Sequence, residues 1–262
     1  MVISGSGGQL KVSDPFQHPC YQKADSLNVV VLRAIPQVAE ATDQRFDYIV
    51  CCTKNIPDVE PTLVDIITPA ISVGHTVIVL IQNELHIERP IQARFPQNVV
   101  LSGISRIDAH AVGEGVIEQR KRDLLYIGAF DSPVHSPETL EKAALEFVKM
   151  YSSGGKTTCL YKPEVGYDRW AKLVYNASFN PVCAITGLNS GEIQTTGSSM
   201  TGLVVPAMRE VVSIAQAAGH TLPDDILEET IRSNPVEEQI TPSMQLDTQR
   251  VGMVSAVFER VD

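Results

Sequence analysis

Tyr167–Asn180, YDRWAKLVYNASFN, sets Lys172, Asn176 and Asn180 at intervals of four. On an α-helix that interval stacks three side chains along one stripe. Trp170, Leu173, Val174 and Phe179 fall on the other faces and can anchor the helix in a core. A cation followed by two amides on one ridge suits a small oxygen-rich anion. The ammonium can give a proton to a carbonyl oxygen, and each amide can give and accept a hydrogen bond. A solvated stripe on a surface helix is the plain alternative. Asn is a poor helix former, and its double use in an otherwise apolar helix favours function. The stretch also opens an all-helical region. Further helices are expected over Asp168–Phe179, Met200–Gly219 and Pro223–Ser233, the last started by Pro223-Asp224-Asp225.

Upstream, strands and helices alternate. Tyr48–Thr53 is a continuous apolar run, as expected of a strand buried on both faces. Pro61–Ala70 reads as a short helix and Thr76–Gln82 as a second buried strand. Ile87–Phe95 is helical in pattern, and Asn98–Ser102 is a third strand. Strands joined by a helix imply a parallel crossover unit. Val116–Gln119 and Leu124–Ile127 read as a later hairpin or edge pair. Pro137–Tyr151 is a helix with Glu138 and Glu141 early and Gly154-Gly155 beyond its end. The domain change is expected near Lys156–Glu164. The organisation is therefore an α/β unit with a partial Rossmann-type parallel sheet, residues 1–160, followed by an all-helical unit, 161–262.

The 262 residues are 44% hydrophobic, enough for a packed core. A net charge of −10 argues against nucleic acid or an anionic membrane as partner. The longest purely apolar run, near Val77–Ile81, is far too short to span a bilayer, and the N-terminus lacks the order of a signal peptide. Five cysteines, odd in number and without metal spacing, fit a reducing, cytoplasmic setting. Cys51-Cys52, within an apolar strand, are expected to be buried thiols.

The segment W-x-K-L-x-x-N-x-x-x-N-P from Trp170, followed by A-I-T-G and Ser190-Gly191-Glu192, resembles the ketopantoate reductases (2-dehydropantoate 2-reductases). DYIVCCTK at Asp47–Lys54, VIVLIQN at Val77–Asn83 and PSMQLD at Pro242–Asp247 fit the same family in the same order. The resemblance covers nearly the whole chain from about Phe46. It implies NADPH as cofactor, a small keto acid as substrate, and the reduction of 2-dehydropantoate on the route to pantothenate. It is compatible with a homodimer. Lys172 would be the catalytic acid, and Asn83, Asn176, Asn180 and Ser243 would bind substrate. Lys54, Asn83 and Ala111 would bind cofactor. His110 is expected to be a structural loop residue. Ser190 stands where some members use another asparagine, and Asp247 is as well explained as a cap.

Several family features are expected to be absent. The nearest stretch to a glycine-rich turn, Ser4–Leu10, has Leu10 at the third glycine position and no preceding strand. The resemblance places the start of this chain after that turn. The residue after Asn83 is usually Gly in the family and is Glu84 here, where a carboxylate would repel an anion. The family glutamate after the serine is Ser255, with Glu259 one turn later, and the chain stops before the family's last helices. Three readings follow: an active reductase, a catalytically silent relative, or a non-catalytic partner that completes its sheet with another chain.

Overall fold

The computed structural model describes residues 11–13, 45–113, 116–119 and 121–251. The chain divides after Val165 into two compact units. Among the described residues the first unit carries a five-stranded sheet in the order β2-β3-β4-β7-β8. Its strands are β2 (Tyr48–Cys51), β3 (Val77–Leu80), β4 (Val100–Ser105), β7 (Leu124–Ala129) and β8 (Thr158–Tyr161). β2, β3 and β4 run parallel, β7 is antiparallel to β4, and β8 is parallel to β7. A second sheet joins β1 (Lys11–Ser13), β6 (Val116–Gln119) and β5 (Ala109–Gly113). The unit is a Rossmann-like α/β layer structure, as the strand–helix alternation implies.

The register of β3 shows why the apolar run makes a central strand. Ile78, Val79 and Leu80 are all fully buried. Ile78 and Leu80 join one core with Val100, Ile67, Ile91 and Phe95. Val79 joins the opposite core with Leu101, Leu125, Ile127 and Phe147. Alternate side chains point to opposite faces, so a strand covered on both sides must be apolar throughout. Helices α1 (Leu63–Ile67) and α2 (Glu88–Arg94) supply the first core, and α3 (Pro137–Ser152) the second. α1 begins at a capping box in which Asp65 N donates to the Thr62 hydroxyl at 3.3 Å and Thr62 N donates to the Asp65 carboxylate at 2.9 Å. The Thr62 hydroxyl also donates to that carboxylate, and this bond, aided by the one from Thr62 N, holds the Asp65 carboxyl below its usual range. Asn98, 1% exposed, accepts from Gly74 N and donates to the carbonyls of Ser72 and Thr76, so it ties the entry of β3 to that of β4.

Several elements differ from the expectation. Pro61–Ala70 is not one α-helix: α1 ends at Ile67 and a 3-10 turn covers Thr68–Ala70. Pro69 has no N–H to continue the i→i−4 ladder. β2 is only partly buried at Tyr48, Ile49 and Val50, because it lies at the edge of the described sheet. Cys51 is buried, but Cys52, just past the strand, is exposed. Burial pushes the Cys51 thiol up to about 12. β6 and β7 are not a hairpin; they belong to different sheets. β8, in the stretch where the domain change was expected, is an edge strand of the larger sheet.

The second unit is helical: α4 (Val165–Asn176), α5 (Phe179–Thr186), α6 (Ser190–Thr195), α7 (Val205–Ala217), α8 (Ile226–Arg232) and α9 (Ser243–Val251). A π-turn over Met200–Val204 precedes α7, where Val205 N bonds to the Met200 carbonyl. Pro206, at the start of α7, explains the interruption of the single helix expected from Met200. No helix among the described residues is long and apolar enough to cross a membrane.

Candidate functional site

Two groups of residues carry the candidate chemistry, one in each unit. In the first, the carboxyl ends of β2 and β3 lie side by side, where open parallel sheets take their ligands. Lys54 follows β2 and Asn83 follows β3, and both are exposed. An ammonium and a carboxamide on neighbouring strand ends form a donor set suited to phosphate, ribose or carboxamide oxygens. The two loops are bound together. Gln82 Nε2 donates to the Thr53 carbonyl at 2.8 Å, and Asn55 Nδ2 donates to the Glu84 carboxylate at 2.8 Å. That bond engages the acidic side chain beside the expected anion site.

Glu84 has φ +85° and His86 has φ +62°. Left-handed backbone costs a residue with a Cβ roughly 1–2 kcal/mol. A glycine relieves that strain, which gives a physical reason for glycine at this position. Glu84→Gly is therefore expected to be more stable than Glu84→Ala by about 1 kcal/mol, the reverse of the usual order, since both lose the Asn55 bond. Urea unfolding of the two variants checks this, and a more stable alanine variant would contradict it.

In the second unit the expected stripe is divided. Lys172 and Asn176 share a face of α4, but α4 ends at Asn176 and Asn180 is the second residue of α5. Pro181 cannot donate to the Ala177 carbonyl and crowds it, which favours the break seen here between α4 and α5. The Ser178 hydroxyl donates to the Val174 carbonyl at 2.6 Å and closes the end of α4. Tyr175 and Phe179 stack across the break with ring centroids 5.0 Å apart. The asparagines are thus not mid-helix residues. Asn176 ends one helix and Asn180 begins another, positions where Asn is less costly than in an interior. Lys172 is half-buried, Asn176 is 9% exposed and Asn180 is 4% exposed. Trp170, 2% exposed, anchors α4 and lies 6.2 Å from the His220 ring.

Ser243 is the first residue of α9 and is exposed; Asp247, four residues on, is half-buried on the same side. Ala111 and His110 lie in β5, where Ala111 pairs with Ile117 of β6; His110 is a strand residue rather than a loop residue. Ser4–Leu10, Ser255 and Glu259 lie outside the described residues. Sequence reasoning missed Gln245, 2% exposed on α9, and Tyr175. Ser190, at the family's asparagine position, is fully buried. Burial pushes the Tyr175 phenol up, the neighbouring Cys183 adds to this, and Ser190 pulls it partly back. Nothing in the spacing of these three residues marks them out.

The chain thus combines a Rossmann-like α/β unit with a helical unit that carries a lysine–asparagine face. The family model described as ketopantoate reductase PanE/ApbA matches residues 17–132, and its C-terminal counterpart matches residues 164–251. The chain belongs to the ketopantoate reductase family. An uncharacterised protein of Saccharomyces cerevisiae is 33% identical over 84% of this chain and 66% of its own length. The crystal structure of 2-dehydropantoate 2-reductase from Methylococcus capsulatus is 29% identical with a TM-score of 0.65, over 84% of this chain and 66% of that one. D-mandelate dehydrogenase, solved with NADH and anilino(oxo)acetate, shares the fold at 19% identity and a TM-score of 0.68, over 80% of this chain and 66% of that one. The chain therefore spans just under two thirds of the length of each.

Proposed function

We propose that this protein is a nicotinamide-dependent reductase of small 2-keto acids, with 2-dehydropantoate as substrate and pantoate as product. The observation that carries the reading is the α4 face on which half-buried Lys172 precedes buried Asn176 by one turn. An ammonium so placed can protonate an alkoxide as it forms, and the amide beside it can orient the same oxygen. A reduced nicotinamide, when bound, supplies the hydride that the keto carbon accepts. Lys54 and Asn83 would hold the cofactor, and the donor set at their strand ends fits its oxygens; Ala111 is assigned with them by family resemblance. Asn176, Asn180 and Ser243 would orient the substrate's carboxylate and hydroxyl, with Asn83 serving both molecules. NADPH is the cofactor that the family resemblance favours.

A second reading, a member without catalysis, draws on Glu84, which follows Asn83 beyond the carboxyl end of β3 and whose carboxylate accepts from Asn55. The two readings separate in one assay. The purified chain is mixed with 2-dehydropantoate and either NADPH or NADH, and loss of reduced-nicotinamide absorbance is followed, with cofactor binding measured by calorimetry. Turnover above the cofactor-only rate is expected. Cofactor binding without reduction of the keto acid would establish the silent reading instead.

A further inference from the structure

The first core holds a buried polar pair outside the chemistry described above. Glu88, the first residue of α2, is 3% exposed, and Ser102, in β4, is 1% exposed. The Ser102 hydroxyl donates to Glu88 Oε1 at 2.5 Å. Both residues break the local pattern. Ser102 shares a sheet face with buried Val100 and Ile104, and a strand covered on both sides is otherwise apolar. Glu88 stands on the buried side of α2 with Ile87 and Ile91. A carboxyl and a hydroxyl bury less apolar surface than two aliphatic side chains, and the carboxyl is costly to take out of water. Departures of this kind from the local rule are expected at functional sites.

The pair closes the loop that carries Asn83. That loop, residues 81–87, runs from the end of β3 to the start of α2. Its first half is tied toward β2, by Gln82 Nε2 donating to the Thr53 carbonyl and Asn55 Nδ2 donating to the Glu84 carboxylate, each at 2.8 Å. Glu88 ties its far end to β4, on the other side of β3. Asn83 is exposed, so its carboxamide takes its position from the loop backbone. Left-handed φ values at Glu84 and His86 define a tight path between Asn83 and Glu88, along which a displacement of α2 is carried to Asn83.

Stability alone does not call for this bond. Ile87, Ile91 and Phe95 already seat α2 in the core, but apolar contacts are non-directional. A hydrogen bond has a preferred distance and angle. In a helix of seven residues, one such bond at the first residue fixes the helix along and about its axis. Errors of about 1 Å in the placing of a ligand-holding group are costly to function. Resting on the reductase reading above, we infer that Glu88 and Ser102 are positioning residues of the cofactor site: their bond sets where α2 starts, and so where the Asn83 carboxamide meets the nicotinamide cofactor.

The test is a double-mutant cycle read by binding. NADPH and NADH are each titrated by calorimetry into the parent chain, and the tighter binder is then titrated into Ser102→Ala, Glu88→Gln, Asn83→Ala and the Asn83→Ala, Ser102→Ala double variant, with circular dichroism to check folding. Ser102→Ala is expected to weaken the cofactor by about tenfold, on the scale of one lost hydrogen bond. Glu88→Gln keeps an oxygen that accepts from Ser102 and is expected to change affinity by less than about threefold. If the pair acts through Asn83, the double variant binds no more weakly than Asn83→Ala alone. If Ser102→Ala does not fold, Ser102→Cys, a weaker donor of similar size, takes its place. Additive losses in the double variant, an equal loss in Glu88→Gln, or no loss in Ser102→Ala would overturn the inference and leave the reductase reading intact. A parent chain that binds neither nucleotide would overturn that reading and this inference with it.

Discussion

Lys172→Ala is expected to lower kcat for keto-acid reduction by about 10²–10⁴-fold, the effect of removing a positioned general acid. Lys172 follows Trp170 by two residues on α4, so a core-anchored turn sets its backbone position, and Asn176 stands one turn beyond. Lys172→Arg separates charge from proton donation. The guanidinium keeps the positive charge, but it holds its proton far more tightly than an ammonium and is a poor acid. The arginine variant is expected to retain substrate affinity better than the alanine variant while staying slow in kcat. Steady-state kinetics with 2-dehydropantoate measure both. Equal kcat for parent and Lys172→Ala would remove the lysine from the reaction.

The largest effect on stability is expected at Gly128 in β7. A Cβ built there would lie 2.2 Å from the Lys162 carbonyl oxygen and 2.6 Å from Val165 Cβ. Neither neighbour is the far end of a flexible side chain; both are fixed by backbone. Lys162 N donates to the Ile127 carbonyl at 2.7 Å, which keeps the crossing segment close to the strand. Gly128→Ala must push that segment away and is expected to cost about 3 kcal/mol, the upper range for overpacking, which lowers Tm by roughly 6–12 °C in a chain of this size. Gly154→Ala is the control, since a Cβ there meets nothing within 4 Å. Thermal melts that show equal losses at the two positions would contradict the packing argument.

How much of this was legible differs between elements. β3 was legible because both its faces are covered, so VIVL had to be apolar without interruption. α3 was legible because Ser136 caps it, Pro137 starts it and Glu138 lies in its first turn. The division of the lysine–asparagine stripe was also written in the chain, at Pro181, but the four-residue spacing outweighed it. Proline acts on the carbonyl four residues earlier, so the break falls at Ala177–Ser178, before the proline itself. The separation of β6 and β7 into different sheets was not legible. Two short strands close in sequence read alike whether they pair with each other or with separate sheets.

From the amino-acid sequence alone come the α/β-then-helical order, the central strand, and the face that joins Lys172 to Asn176. Each depends on periodicity, which is local. Only the tertiary structure decided three other matters. The φ of Glu84 is set by a loop tied across to Asn55, 29 residues away. The burial of Gln245 is set by the packing of α9 on α5. The seating of α6 is set by the close approach of Gly191 to the Val236 carbonyl. Each arises from residues far apart in the chain, and side chains at such distances leave no periodic mark by which one could be read from the other.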